Sequence, residues 1–421
     1  MKEFPLDPGV AERLRALGTV DLLVGIPSYN NASTIGHVVK AAAGGVAKYF
    51  PGRRVVIVNS DGGSKDGTPD VVAEAELGAP SAILVSHPIE PVHKITTPYH
   101  GIPGKGSALR TIFAIAERLQ ARACAVVDSD VRSVAPSWME LLLGPVLSHG
   151  MDFVAPLYLR HKFDGTITNS IVYPLTRALY GKEVRQPIGG EFGFSGRLAS
   201  HYLVQPVWES NVARFGIDIW MTTTALADGF RVCQSFLGAK IHDPKDPGAD
   251  LAEMLVQVVS SVFDLMETYE DRWKTIEGAG EVPLFGFPHG VGLEPVNVNV
   301  GRMLGIFRQG VRDLGEIWAH ALDEPTRREV AALATIETEG SFRFPDPLWV
   351  RLVHDFALAY RRRAINRDQL LRSLVPLYLG RTASFVLDND TSDAVEVEAA
   401  IRALADEFVR QKPRLRERWG S

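Results

Sequence analysis

An alternation in the first half of the chain limits its fold more than any other feature. Short branched-apolar runs at residues 22–26, 55–58, 83–85 and 124–127 alternate with amphipathic stretches at 33–48 and 106–120. In the latter stretch Leu109, Ile112, Phe113, Ala116 and Leu119 recur at helical spacing. Runs that are apolar throughout predict strands buried on both faces. Strands alternating with helices predict a Rossmann-like α/β fold, a mostly parallel sheet with helices on both faces. Ligands bind such sheets beyond the carboxyl ends of the strands. Polar residues stand at three of these expected ends: Tyr29 and Asn30 after Pro27, Asn59 with Asp61, and Asp128 with Asp130.

The texture changes near residue 245, where Pro244, Pro247 and Gly248 interrupt the chain. Beyond it, apolar stripes such as Leu251, Leu255, Val258, Val262 and Leu265 predict a mainly α-helical region over 246–421, with further helices at 301–322, 347–363, 368–379 and 394–411. The expected organisation is therefore a catalytic domain at 1–245 and a helical region that packs on it and builds a homo-oligomer. A net charge of −5 argues against a nucleic-acid scaffold. No run reaches the ~18–20 apolar residues of a membrane span. The N-terminal ten residues lack an apolar signal core, and Cys124 and Cys233 form no disulfide framework. These features predict a cytoplasmic protein.

Carboxylates at a strand end suit a hard cation, because Mg²⁺ or Mn²⁺ takes oxygen ligands and shares them with phosphates. Asp128-Ser129-Asp130 has that form. By itself such a triplet also describes a solvated turn. The chain carries a second, Asp388-Asn389-Asp390, away from any strand–helix alternation, and that one is expected to be only a turn. Upstream, Pro103-Gly104-Lys105-Gly106-Ser107 opens a predicted helix, where free N–H groups and the Lys105 charge suit a phosphate. It does not have Walker-loop spacing.

The segments Ile26-Pro27-Ser28-Tyr29-Asn30 and Asp61-Gly62-Gly63-Ser64-Lys65-Asp66-Gly67-Thr68 resemble the nucleotide-binding turns of GT-A glycosyltransferases. Five pieces in order resemble a narrower group: Gly104-Lys105-Gly106, Asp128-Ser129-Asp130, Gln186-Pro187-Ile188-Gly189-Gly190-Glu191-Phe192, Gly216-Ile217-Asp218 and His242. That group is the retaining mannosylglycerate, glucosylglycerate and glucosyl-3-phosphoglycerate synthases, and the likeness spans residues 20 to about 245.

The resemblance implies a metal-dependent retaining hexosyltransferase. Asp130 and His242 would hold Mg²⁺ or Mn²⁺, with Asp128 beside them. Pro27, Tyr29, Asn30 and Asp61 would hold the nucleoside, and Lys105, Asp128, Ser129, Gly189, Gly190 and Glu191 the rest of a GDP- or UDP-hexose. Asp218 would contact the reacting sugar and acceptor, so Asp218, Glu191 and Lys105 are the catalytic candidates. Arg160 and Thr168, eight residues apart, match the acceptor pair of the mannosylglycerate synthases. Thr166 stands where phosphoglycerate-using relatives have an arginine. This favours D-glycerate over 3-phosphoglycerate, with Lys162 or His161 left as phosphate partners. The competing readings are an inverting family-2-type transferase and a non-catalytic nucleotide-sugar-binding protein.

Overall fold

The structure is a computed structural model describing residues 8–75, 93–98 (backbone only), 104–210, 216–241, 252–288 and 298–420, with Leu6, Val212, Gly290 and Val296. The strands are β1 (Leu22–Ser28), β2 (Val55–Asp61), β3 (His93–Pro98), β4 (Ala123–Val126), β5 (Phe153–Leu159), β6 (Lys182–Glu183), β7 (Phe192–Ser195), β8 (Val232–Ala239), β9 (Gly280–Glu281) and β10 (Leu284–Phe285). The helices of the first half are α1 (Pro8–Leu17), α2 (Ile35–Tyr49), α3 (Thr68–Glu74), α4 (Lys105–Arg118) and α5 (Ser137–His149). After them come α6 (Tyr173–Tyr180), α7 (Gly196–Leu203) and α8 (Ile217–Ala227). The expected run at 83–85 lies outside the described residues.

Eight strands form one sheet in the order β10-β8-β5-β7-β4-β1-β2-β3. Every pairing is parallel except those of β7 with β4 and β5. The central strands β1, β2 and β4 are buried along their whole length, which is why their sequences are apolar rather than alternating. On one face Leu22, Val24 and Ile26 of β1 share a core with Ile35, Val38 and Val39 of α2 and with Trp138, Met139 and Leu142 of α5. On the other, Phe113 of α4 meets Phe194 of β7 edge to face at 5.4 Å. Both faces are thus covered by helices.

The chain forms two compact units, and its segments interleave. The sheet unit takes residues up to Leu159, Ile188–Asp243 and Val282–Leu293; the other takes Arg160–Pro187, Pro244–Glu281 and Glu294–Ser421. A single boundary at 245 therefore describes only one of the places where the chain passes between units. The second unit is mainly helical. It holds a short π-helix (Thr168–Val172) running into α6, then α9 (Ala252–Thr268), α10 (Glu270–Trp273), α11 (Val300–Asp313), α12 (Gly315–Trp318), α13 (Glu324–Ala334), α14 (Asp346–Arg362), α15 (Arg367–Asp388) and α16 (Ala394–Trp419). The helix expected at 301–322 is two, α11 and α12, and the one expected at 368–379 continues to Asp388. No described helix is long and apolar enough to cross a membrane.

Candidate active site

Parallel strands β1, β2, β4 and β8 end on one edge of the sheet, and because β7 runs the other way its beginning lies on that same edge. Residues 27–30, 59–61, 128–130, 189–191 and 240 are thereby gathered from distant parts of the chain. Two linked clusters result.

The first is a row of alternating charges. The Lys105 ammonium lies 2.7 Å from Asp128 and 3.0 Å from Asp218. The Lys240 ammonium lies 3.4 Å from the other Asp128 oxygen and 2.9 Å from Glu191, and donates to the Gly189 carbonyl at 2.8 Å. The Tyr158 hydroxyl donates to Glu191, which is fully buried. Three carboxylates face two ammonium groups, so one negative charge is left over when all are ionised.

Local structure explains the row. Lys105 is the first residue of α4, where the helix dipole disfavours a cation; Asp128 and Asp218 compensate. Asp218 sits in the first turn of α8, where the dipole favours an anion. Gly190 has φ +92° and lies against Asp128 so closely that a Cβ there would stand 2.2 Å from the carboxylate oxygen. Only glycine serves at that position. The β5–β8 register shifts after Leu157↔Phe236 to Tyr158↔Gly238, leaving Leu237 as the extra residue of a bulge. Gly238, at φ +84°, carries the bend just before Lys240. Backbone bonds from Arg132 to the Ile241 carbonyl (2.9 Å) and from Ile241 to the Ser133 hydroxyl (2.9 Å) tie the loops after β4 and β8 together.

The electrostatics follow from burial and pairing. Burial pushes Glu191 from its ordinary 4.5 up to about 7, against the opposing pull of Lys240. Burial likewise raises Asp218 despite Lys105. Asp128 is partly withdrawn from water, which opposes its charge, but Lys105 and Lys240 together hold it below the usual carboxylate range. Burial alone would lower Lys105; Asp128 and Asp218 keep it well above its ordinary value.

The second cluster consists of the turns after β1 and β2. Asp61 accepts from the Ser28 hydroxyl (2.9 Å), the Gly63 and Ser64 amides (2.9 and 2.8 Å) and the Ser64 hydroxyl (2.6 Å). Asn30, held at φ +54°, donates from its amide to the Ser64 hydroxyl and accepts from the Lys65 amide. Asn31 joins this cluster to the triplet: its side-chain oxygen accepts from the Ser129 hydroxyl at 2.8 Å, and the Thr34 hydroxyl donates to the Ser129 carbonyl at 2.7 Å. The Tyr29 ring stands 61% exposed beside Pro27.

Of the residues expected from sequence, Lys105, Asp128, Gly189, Gly190, Glu191 and Asp218 therefore share one network, and Tyr29, Asn30 and Asp61 lie in turns bonded to Ser129. Asp130 is exposed. His242 lies outside the described residues, and among those described no three His, Cys, Asp or Glu side chains are placed to hold one metal ion. Arg160, Thr166 and Thr168 belong to the helical unit. There Arg160 lies 3.6 Å from Asp164, and the buried Thr166 hydroxyl is 2.5 Å from that of Tyr378. Lys162 is spent otherwise than on a phosphate: its ammonium donates to the carbonyls of Asn389, Asp390 and Ser392 at 2.8, 2.6 and 3.2 Å. The second triplet is accordingly an exposed turn that ends a helix and is capped by Lys162, with Asn389 alone of the three buried. Sequence reasoning missed Lys240, Tyr158 and Asn31.

No protein-family profile matches the chain, and no curated protein sequence does. Among solved structures it is similar to the glucosyl-3-phosphoglycerate synthase of Mycobacterium tuberculosis. The complex with Mn²⁺, UDP and glucosyl-3-phosphoglycerate is 21% identical, with 63% of this chain and 88% of that one covered and a TM-score of 0.44. The complex with Mn²⁺, UDP-glucose and phosphoglyceric acid is 20% identical over 64% and 86%, TM-score 0.43. The complex with Mn²⁺, UDP-glucose and glycerol 3-phosphate is 20% identical over 64% and 87%, TM-score 0.42.

Proposed function

We propose that this protein is a GT-A glycosyltransferase that moves glucose or mannose from a nucleoside-diphosphate sugar to D-glycerate with retention of configuration. The observation that carries this reading is the row Asp218–Lys105–Asp128–Lys240–Glu191, fully buried at Glu191 and partly buried along the rest, on the edge where strand-end ligands bind. Withdrawing so many charges from water carries a desolvation cost that pairing only partly offsets, and carboxylates perturbed in this way concentrate at functional sites.

A hard cation suits the surplus negative charge of the row and the exposed Asp130 carboxylate two residues beyond Asp128. Asp130 and His242 would hold it, since both Asp128 oxygens already face ammonium groups. Bound there, the ion would supply charge stabilisation for a departing diphosphate. Tyr29 offers its exposed ring as a platform for the base, and the Asp61 and Asn30 turns fix that platform. Glu191 and Asp128, pinned by Lys240 and Lys105, would accept hydrogen bonds from sugar hydroxyls. Asp218 would orient the sugar and acceptor at the reacting carbon. Arg160 and Thr168 would receive the acceptor, the arginine on its carboxylate.

In the transfer the acceptor hydroxyl oxygen bonds to the anomeric carbon as the bond to the donor phosphate oxygen breaks. The acceptor proton passes to that leaving oxygen, so attack and departure share one face. The protein contributes position and field rather than a nucleophile. The test is a matrix of GDP- and UDP-linked glucose and mannose against D-glycerate and 3-phosphoglycerate, with Mg²⁺ or Mn²⁺ and with EDTA. An α-linked hexosylglycerate is expected. A β-linked product, or nucleotide binding without turnover, would replace this reading with an inverting transferase or a nucleotide-sugar-binding protein.

A further inference from the structure

The helical unit encloses a cavity of about 260 Å³. Thr166, Asn169 and Ser170, at the entrance to the π-helix, line one side of it; Arg381, Thr382 and Phe385 of α15 line another. It is roomier than the ~150 Å³ cavity that takes benzene but below the ~300–1,000 Å³ of pockets for drug-sized ligands. A nucleotide sugar is too large for it. A molecule about the size of a monosaccharide fits.

The charges around it are already matched. Arg381 pairs with Asp346 at 2.5 Å and donates to the Phe344 carbonyl at 2.6 Å, while Asp388 pairs with Arg343. Nothing is left to attract an ion. Neutral hydrogen-bonding capacity remains in the side-chain amides of Asn169 and Asn389, each of which spends only one N–H, on the carbonyls of Asp164 and Phe385. Phe385, Ile401 and Leu404 add apolar surface of the kind that packs against C–H faces.

We propose that this cavity binds a small, uncharged polyhydroxylated molecule of monosaccharide size, separately from the charged row of the sheet unit. The occupant would rest on the stretch 164–172, within which Ser170 donates to the Thr166 carbonyl at 2.6 Å and the Trp349 indole donates to the Ser170 carbonyl at 2.8 Å. Binding should therefore stiffen that stretch.

The experiment titrates D-glucose, D-mannose and glycerol into the full-length protein without nucleotide, by calorimetry and hydrogen exchange. Millimolar binding of a hexose is expected, with protection confined to residues 164–172 and 381–389. Ala400→Phe, which fills the cavity, should weaken binding about tenfold or more, equivalent to about 1.4 kcal/mol. Asn169→Leu, which removes a lining amide, serves if the larger residue disturbs folding and should weaken it severalfold. Asp130→Ala should bind unchanged, so a failure of the proposed transfer leaves this result readable. No heat with any of the three compounds, protection at residues 128–130 instead, or unaltered affinity in both cavity variants would overturn the inference.

Discussion

The chain contains the same short acidic pattern twice, and the two copies do opposite jobs. Asp128-Ser129-Asp130 follows a strand, and Asp128 is gripped by Lys105 and Lys240. Asp388-Asn389-Asp390 ends helix α15; its carbonyls receive Lys162 and Asp388 pairs with Arg343. In the first, the side-chain carboxylates matter, one held between two ammonium groups and the other exposed at the strand end. In the second, the backbone oxygens matter, because a helix ends with unpaired carbonyls and a partial negative charge. What precedes a carboxylate triplet decides what it does.

The largest expected effect breaks that comparison at the first triplet. Asp130→Ala and Asp128→Ala should each lower kcat by about 10²–10³, the scale of losing one preorganised electrostatic contact, while Asp388→Ala and Asp390→Ala stay within about twofold of the parent by the same kinetic assay. If the two pairs behave alike, the distinction is wrong.

Lys240→Met comes next. It strands Glu191 buried without its ammonium partner, a change that costs about 3–5 kcal/mol in a buried pair. Urea denaturation near pH 8 should report that loss, kcat/KM should fall with it, and Lys240→Arg should restore part of both.

Glu191 also sets a pH dependence. Its folded value is raised from 4.5 to about 7, so between those values the folded protein keeps a proton that the unfolded chain has lost. The contribution to stability is full below about 4.5 and is lost as pH climbs through 7, at up to about 1.4 kcal/mol per unit. Glu191→Gln should flatten that part of the urea-midpoint profile. A profile identical to the parent's would remove Glu191 from the account.

The smallest effect belongs to the helix end. Lys162→Met should cost about 0.3–2 kcal/mol, the range for a cation at a helix C-terminus, seen as a few degrees in thermal melting with kcat unchanged.

Much of the sheet unit was legible. Continuous apolar runs marked β1, β2 and β4 because both faces of those strands are covered, and Lys105, Glu191 and Asp218 stood out as charges in glycine-rich or apolar surroundings. Lys240 did not. It follows β8 as any strand-ending cation would, and its partners lie 49 and 112 positions away, beyond what spacing can report. The bulge at Leu237 that precedes it leaves no trace in an otherwise apolar run. Lys162 was misjudged for a related reason: its ligands are backbone carbonyls 227 to 230 residues on, and carbonyls have no sequence signature. The placement of residues 160–187 with the helical unit was equally hidden, since a helix pattern does not say which core it joins.

Strand β10 has a consequence for synthesis. Leu284 and Phe285 pair with Gln234 and Ser235 and so cover that part of the outer side of β8. Until the ribosome has delivered those two residues, the nascent sheet presents β8 as an open edge, the kind of surface through which partly made chains stick to one another. The edge that carries the charged row can be complete in sequence at residue 243 while the sheet behind it is still adhesive. Chains released between 243 and 285 should therefore aggregate more readily than chains released just after 285, a liability written into the order in which the polypeptide emerges.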